Sequence, residues 1–153
     1  IEIARAQRSG TPLAIAYLDC DNFKEVNDTL GHATGDALLL AVARTAAAHV
    51  RPTDVVARLG GDEFACLLGG ASGEQANEIM QRVKEHLDER MQQDAWPVTF
   101  SIGIAVFPTA PRDADEMIGA ADQLMYEVKL GEKNGIRLQQ FEAPGAQAQP
   151  VLS

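Results

Sequence analysis

Basic residues are scarce in this 153-residue chain, where 13 Lys and Arg stand against 22 Asp and Glu for a formal net charge of −9. Sequence-independent binding to DNA or RNA rests on basic patches, so the balance weighs against a nucleic-acid polymer as partner. A smaller polyanion such as a nucleotide would need metal ions and a few placed Lys or Arg residues. Cysteine is nearly absent too. Cys20 and Cys66 each lie in an apolar run, which reads as two buried free thiols rather than a disulfide framework and suits a reducing cytoplasm. No stretch approaches the roughly 20 apolar residues of a membrane span, and no secretory signal heads the chain. No internal repeat is visible, and no long heptad pattern is present to hold a coiled coil.

What is present is ordinary for a soluble globular protein, 46% hydrophobic and 23% charged, and large enough for one domain with a real core. The opening IEIARAQRSG reads as the middle of a helix, as in a piece of something longer. PLAIAYLDC (12–20) is an apolar, β-capable run introduced by Gly10 and Pro12, hence a buried strand. The polar stretch 21–36 has room for one short helix. Residues 36–50 are Ala- and Leu-rich, with Asp36 placed near a helix N-terminus and Pro52 ending the run. Residues 54–70 read strand, Gly-Gly turn, strand: a hairpin. Ser72 opens a helix whose Ile79, Val83 and Leu87 recur every four residues. VTFSIGIAVFP (98–108) is a strand, 113–135 a helix, and GIRLQQF (135–141) an edge strand. The tail from Glu142 has linker composition. The core order β-α-β-β-α-β predicts an α+β, ferredoxin-like, palm-type domain with a mixed, largely antiparallel central sheet and helices on one face. That fold by itself specifies no function.

Two acidic clusters stand at strand ends, Asp19 with Asp21 after the first strand and Asp62 with Glu63 at the hairpin tip. In a split β-α-β sheet the first strand and the hairpin are central neighbours, which would bring Asp19 and Asp62 to one edge. Converging carboxylates there suit Mg²⁺, which takes one or two carboxylates plus substrate phosphate oxygens. Two such ions activate a hydroxyl and stabilise a leaving pyrophosphate in an in-line displacement. The alternative is that each is a solvated turn acid, which is common.

The strings decide between these. Gly60-Gly61-Asp62-Glu63-Phe64, within RLGGDEFACLL, resembles the signature of GGDEF-domain diguanylate cyclases. LDCDNFKEVNDTLGHATGD (18–36) is similar to that family's D-x-D-x-F-K-x-x-N-D-x-x-G-H-x-x-G-D segment at every fixed position. SIGIAVFP (101–108) resembles its S-x-G-I-A strand. ADQLMYEVKLGEKN (121–134) resembles its A-D-x-x-x-Y-x-x-K-x-x-G-x-N helix, with the glycine one place early at Gly131. The resemblance spans about residues 9 to 140.

This resemblance implies Asp19 and Asp62 as metal-binding, catalytic carboxylates with the Cys20 carbonyl as a further ligand. Glu63 then supports the second metal or the activation of the 3′-hydroxyl. Two Mg²⁺ or Mn²⁺ ions would serve each site, and the hairpin would carry it. Asn27 and Asp36 match the guanine-reading pair, and the chemistry agrees: guanine's N1–H and N2–H₂ donors suit a carboxylate, while adenine lacks that donor pair. Asp36 has helix N-capping as its other reading. Gly60 and Gly61 permit positive φ and leave clearance for a nucleotide. Backbone N–H groups around Asn22 and Phe23 suit the β- and γ-phosphates. Lys129 and Lys133 match cations that reach those phosphates, with Lys24 a further one. For the two helix-end lysines a solvated basic helix end is the other reading. Arg51 and Asp54, with five residues between Asp54 and Gly60, resemble the family's R-x-x-D inhibitory site, where a surface ion pair is the plain alternative. Arg82 on the following helix would assist from the same or a second chain.

The expectation is a GGDEF domain over residues 1–140, without the family's D-x-L-T-G-L-x-N-R segment, followed by a linker-like tail over 141–153. It would condense two GTP into cyclic di-GMP with release of two pyrophosphates, as a homodimer that forms transiently, with product inhibition. The domain would be cytoplasmic, in a longer chain bearing sensory or phosphodiesterase domains and room for a membrane anchor. The competing reading is a sensor that binds GTP or cyclic di-GMP without cyclising.

Overall fold

The computed structural model describes Ala4, residues 10–111 and residues 113–141. The expected opening helix lies outside these residues except for Ala4, which is helical, and the tail beyond Phe141 lies outside them altogether. In chain order the described elements are β1 (Leu13–Asp21), α1 (Phe23–Leu30), α2 (His32–His49), β2 (Val55–Gly60), β3 (Glu63–Gly69), α3 (Gly73–Gln93), β4 (Thr99–Phe107), α4 (Ala114–Leu130) and β5 (Gly135–Gln140). The strands form one mixed sheet in the order β2-β3-β1-β4-β5. All its neighbours are antiparallel except β4 and β5, which are parallel. This is the expected α+β palm-type core, with β5 added at one edge through the crossover helix α4.

Both faces of the sheet are covered, which corrects the expectation of helices on one face. The reason is in the strands. All of β1 is buried, as is β4 after Thr99, and strands without polar alternation must be covered on both sides. Ala14, Ala16, Leu18 and Cys20 pack with α1, α2 and α3, around the fully buried Phe64 and Phe100. Leu13, Ile15 and Tyr17 pack against Met117, Ala121, Leu124 and Met125 of α4. Burying each of these large side chains contributes about 1.5–3 kcal/mol.

Three local features place the elements. The Ser72 hydroxyl accepts from Gln75 N while Gln75 Oε1 accepts from Ser72 N, a reciprocal cap that starts α3 where the hydrophobic spacing predicts it. The Asp113 carboxylate accepts from Asp115 N to start α4. Gly103, in the S-x-G-I-A strand, lets α4 touch the sheet: a Cβ there would lie 2.3 Å from Met125 N and 2.4 Å from Ala121 O. The long helix expected from Asp36 starts four residues earlier, at His32, because Gly31 alone (φ 94°) supplies the turn that separates it from α1.

Candidate active site

The hairpin tip stands beside the end of β1. Asp19 is directly opposite Glu63 in the β1–β3 register, and Cys20 N donates to Asp62 O at 3.2 Å. In an antiparallel strand a residue's N–H and C=O point to the same side, so the Cys20 carbonyl also faces the tip. The register slips between Arg58 and Gly60, and Gly60 and Gly61 take φ of 152° and 51°. A Cβ at either would meet nothing within 4 Å. Backbone conformation calls for these glycines, and the space over them is open. Arg58 braces the turn by donating from Nε and Nη2 to Gly61 O at 3.0 and 2.7 Å.

Because odd-numbered β1 residues face α4, the acids meet that helix. Asp19 is 6% exposed; its Oδ2 accepts from Lys129 Nζ, while its buried Oδ1 has no hydrogen-bond partner. Burial pushes the Asp19 carboxyl above the usual carboxylate range; the Lys129 bond pulls it down and the Asp62 charge adds to the rise. Burial also works against the Lys129 ammonium, but the bond to Asp19 and the charges of Asp19, Asp21 and Asp62 outweigh it and hold that pKa above the usual lysine value. Glu63 Oε2 accepts from the Tyr17 hydroxyl. Asp21 is fully buried and satisfied: it accepts from Thr99 Oγ1 and Ser101 Oγ at 2.8 Å each and from Asn134 N at 3.2 Å, with Lys129 Nζ 3.7 Å away. It ties β1 to β4 and to the turn before β5.

Among the described residues no three His, Cys, Asp or Glu side chains converge closely enough to hold an ion alone. The donors at the tip nevertheless fit magnesium or manganese: they are hard oxygens, and one of them, Asp19 Oδ1, is buried without a partner. Such ions usually complete their shell with phosphate oxygens and water.

The other expected substrate residues lie before and on α1, on α2, at the end of α4 and in the turn after it. Asn22 has left-handed backbone (φ 67°, ψ 19°) and precedes the first turn of α1 without a side-chain cap. A left-handed residue leading into a helix turns successive N–H groups toward one concavity, suited to an anion. Phe23 begins that helix, and Lys24 is exposed on it. Asn27 is half-buried and packs on α2 at Gly35, where a Cβ would lie 1.9 Å from Asn27 Oδ1. The next residue, Asp36, is exposed in the second turn of α2 and does not cap it; Gly31 occupies the N-cap. Asp36 lines a cleft of about 550 Å³ together with Leu39, Leu40, Val56, Arg58 and Phe64. Lys129 lies on Asp19, whereas Lys133 is exposed on the turn 131–134, where it and Asn134 both have positive φ.

Arg51 and Asp54 pair with each other. The Asp54 side chain is wholly buried, taking Arg51 Nη2 at 2.8 Å on Oδ1 and Arg51 N at 2.8 Å and Nε at 2.9 Å on Oδ2. Arg51 Nη2 also donates to Gly69 O at 2.9 Å. Arg82 reaches the same corner, donating from Nε and Nη2 to His49 O at 3.1 and 3.0 Å.

Sequence reasoning misses three contributors. Tyr17 shares a strand face with Asp19, which period-2 alternation would have shown. Asp122, on α4, has its carboxyl raised by burial and then by the charges of Glu63 and Asp19. Ser101 enters the sequence only as part of a motif, although its register opposite Asp19 places it near Asp21.

Comparison with known proteins identifies the family. Residues 1–135 match the family model described as diguanylate cyclase, GGDEF domain. The chain is 38% identical over 141 residues to diguanylate cyclase DosC of Escherichia coli K12, covering 90% of this chain and 30% of that protein. It is 38% identical over 136 residues to diguanylate cyclase TpbB of Pseudomonas aeruginosa PAO1, covering 86% and 31%. The chain thus spans about a third of the length of these relatives. Among solved structures it is similar to the GGDEF domain of TpbB (YfiN) from Pseudomonas aeruginosa, with a TM-score of 0.76, 37% identity and 90% of each chain covered. It is also similar to the GGDEF domain of DgcB from Caulobacter crescentus in complex with c-di-GMP, with a TM-score of 0.78 and 28% identity over 88% of this chain and 82% of that one.

Proposed function

This chain belongs to the GGDEF-domain family, and we propose that it is a diguanylate cyclase catalytic domain that condenses two GTP into cyclic di-GMP. The observation that carries the reading is the Asp19–Glu63 cross-strand pair beside Asp62 at an open glycine tip, with one buried Asp19 oxygen lacking a partner. Asp19 and Asp62, with the Cys20 carbonyl and Glu63, would hold two Mg²⁺ or Mn²⁺ ions, whose chemistry when bound is neutralisation of the triphosphate and a lowered pKa at the 3′-hydroxyl.

The chain's own residues do the rest. The amides from Asn22 into α1 receive the β- and γ-phosphates, with Lys129, Lys133 and Lys24 as cations on that side. Lys129 exchanges Asp19 for phosphate when the triphosphate arrives. Asn27 and Asp36 read the guanine edge, Asp36 accepting from N1–H and N2–H₂. Adenine offers no such donor pair. One domain holds one GTP, so two domains face each other and each 3′-oxygen attacks the other nucleotide's α-phosphorus. Two phosphodiester bonds form, two α–β anhydride bonds break, and two pyrophosphates leave.

In the same reading Arg51 and Arg82 form the product-inhibition corner. Arg51 keeps a third of its side chain exposed for product phosphate and guanine, and Asp54 accepts from guanine once its bonds to Arg51 loosen. The test is cyclic di-GMP formation from GTP and Mg²⁺ by the wild type and by Asp62→Asn. The wild type makes product and the variant does not; undiminished activity in Asp62→Asn removes the metal assignment.

A further inference from the structure

We propose that Tyr17 is a positioning residue for this reaction, acting through Glu63; the proposal rests on the cyclase reading above. Its hydroxyl donates to Glu63 Oε2, although the two residues are not directly opposite. Tyr17 faces Ala65 on β3 and Gly103 on β4, and Glu63 faces Asp19. The contact is therefore a diagonal one across the β1–β3 pair, a span within reach of an aromatic side chain. Ala65, the small residue opposite Tyr17 on β3, puts little side chain between the ring and the tip, while α4 closes over Gly103 on the other side. Tyr17 is 7% exposed and packs with Leu13, Ile15 and the α4 side chains. A phenylalanine would fill that apolar space equally well, so packing explains the ring, and among the described residues Glu63 is the partner that explains the hydroxyl.

The contact has a consequence for chemistry. A glutamate at a glycine-rich tip has three side-chain torsions to restrain before its carboxylate can serve a metal or a hydroxyl proton. Holding Oε2 on a buried phenol leaves Oε1 as the oxygen presented to the site. Preorganisation of that kind acts on the rate more than on ground-state nucleotide binding. A hydrogen bond to a charged group supports a loss on the order of tenfold when it is removed.

The experiment compares wild type, Tyr17→Phe, Glu63→Ala and the double variant. Turnover of GTP is measured across Mg²⁺ concentrations. Mg²⁺-dependent binding of 3′-deoxy-GTP, which lacks the attacking hydroxyl, is measured alongside thermal unfolding. Tyr17→Phe is expected to lower kcat about tenfold while leaving the KM for GTP and the thermal midpoint nearly unchanged. It should raise the Mg²⁺ concentration that half-saturates 3′-deoxy-GTP binding, and add nothing to that shift in the Glu63→Ala background. Wild-type turnover in Tyr17→Phe, a binding shift additive with Glu63→Ala, or a loss matched by a lowered thermal midpoint would each overturn the proposal. If the wild type neither binds 3′-deoxy-GTP nor turns over GTP, the cyclase reading fails and this inference goes with it.

Discussion

Asp19 sits where a carboxylate is costly, buried on an acidic protein, with one oxygen on Lys129 and the other without a partner. Burial raises its pKa in the fold, so the stability it contributes is fully present below the unfolded value near 3.9 and is lost as pH rises through the folded value. Asp19→Asn should therefore raise the thermal midpoint of the metal-free protein by a few degrees at neutral pH and abolish cyclic di-GMP formation. The midpoint difference should close as the pH falls to about 4, which unfolding scans at several pH values would check. A difference independent of pH would contradict the burial argument. The two thiols behave in the opposite spirit, as inert core: burial pushes Cys66 up to about 12 and Cys20 up as well. A thiol reagent should label neither in the folded protein and both after denaturation.

At the scale of elements, two glycines hold functional side chains in register. Gly103→Ala drives a methyl into the backbone of α4 at Met125 and Ala121. It should cost about 1–3 kcal/mol and weaken GTP binding, because α4 carries Lys129. Gly35→Ala meets Asn27 Oδ1 instead, the end of a half-buried side chain that can move. The fold should survive while discrimination of GTP over ATP falls, which competition binding would measure. The strands, the hairpin and the amphipathic α3 were legible because periodicity and turn residues encode them locally. So were the residues of the tip, through strings whose spacing matches a family. Which faces the helices cover was not legible, since β1 reads as uniformly apolar and says nothing about what lies on each side. Nor was the start of α2, where one glycine outweighs a polar stretch. Tyr17 on Glu63 and Lys129 on Asp19 are side-chain contacts 46 and 110 residues apart in sequence, and no local pattern records them.

At the scale of the molecule, the proposed site is half of a reaction centre. In that reading one tip, one guanine reader and one phosphate cradle would hold a single GTP, and the proposed reaction joins two. Turnover should accordingly rise with the square of protein concentration while the domain is mainly monomeric, and become first order when a fused coiled coil holds two copies together. Arg51→Ala, which opens the corner shared with Asp54 and Arg82, should relieve inhibition by added cyclic di-GMP; inhibition unchanged from wild type would remove that corner from the account. The central claim is tested most directly by supplying the coiled-coil-fused dimer with GTP and Mg²⁺ and quantifying both products. The account predicts cyclic di-GMP with two pyrophosphates for each molecule formed. GTP bound at the tip without cyclic product, at high protein concentration, would contradict it and leave a nucleotide sensor in place of an enzyme.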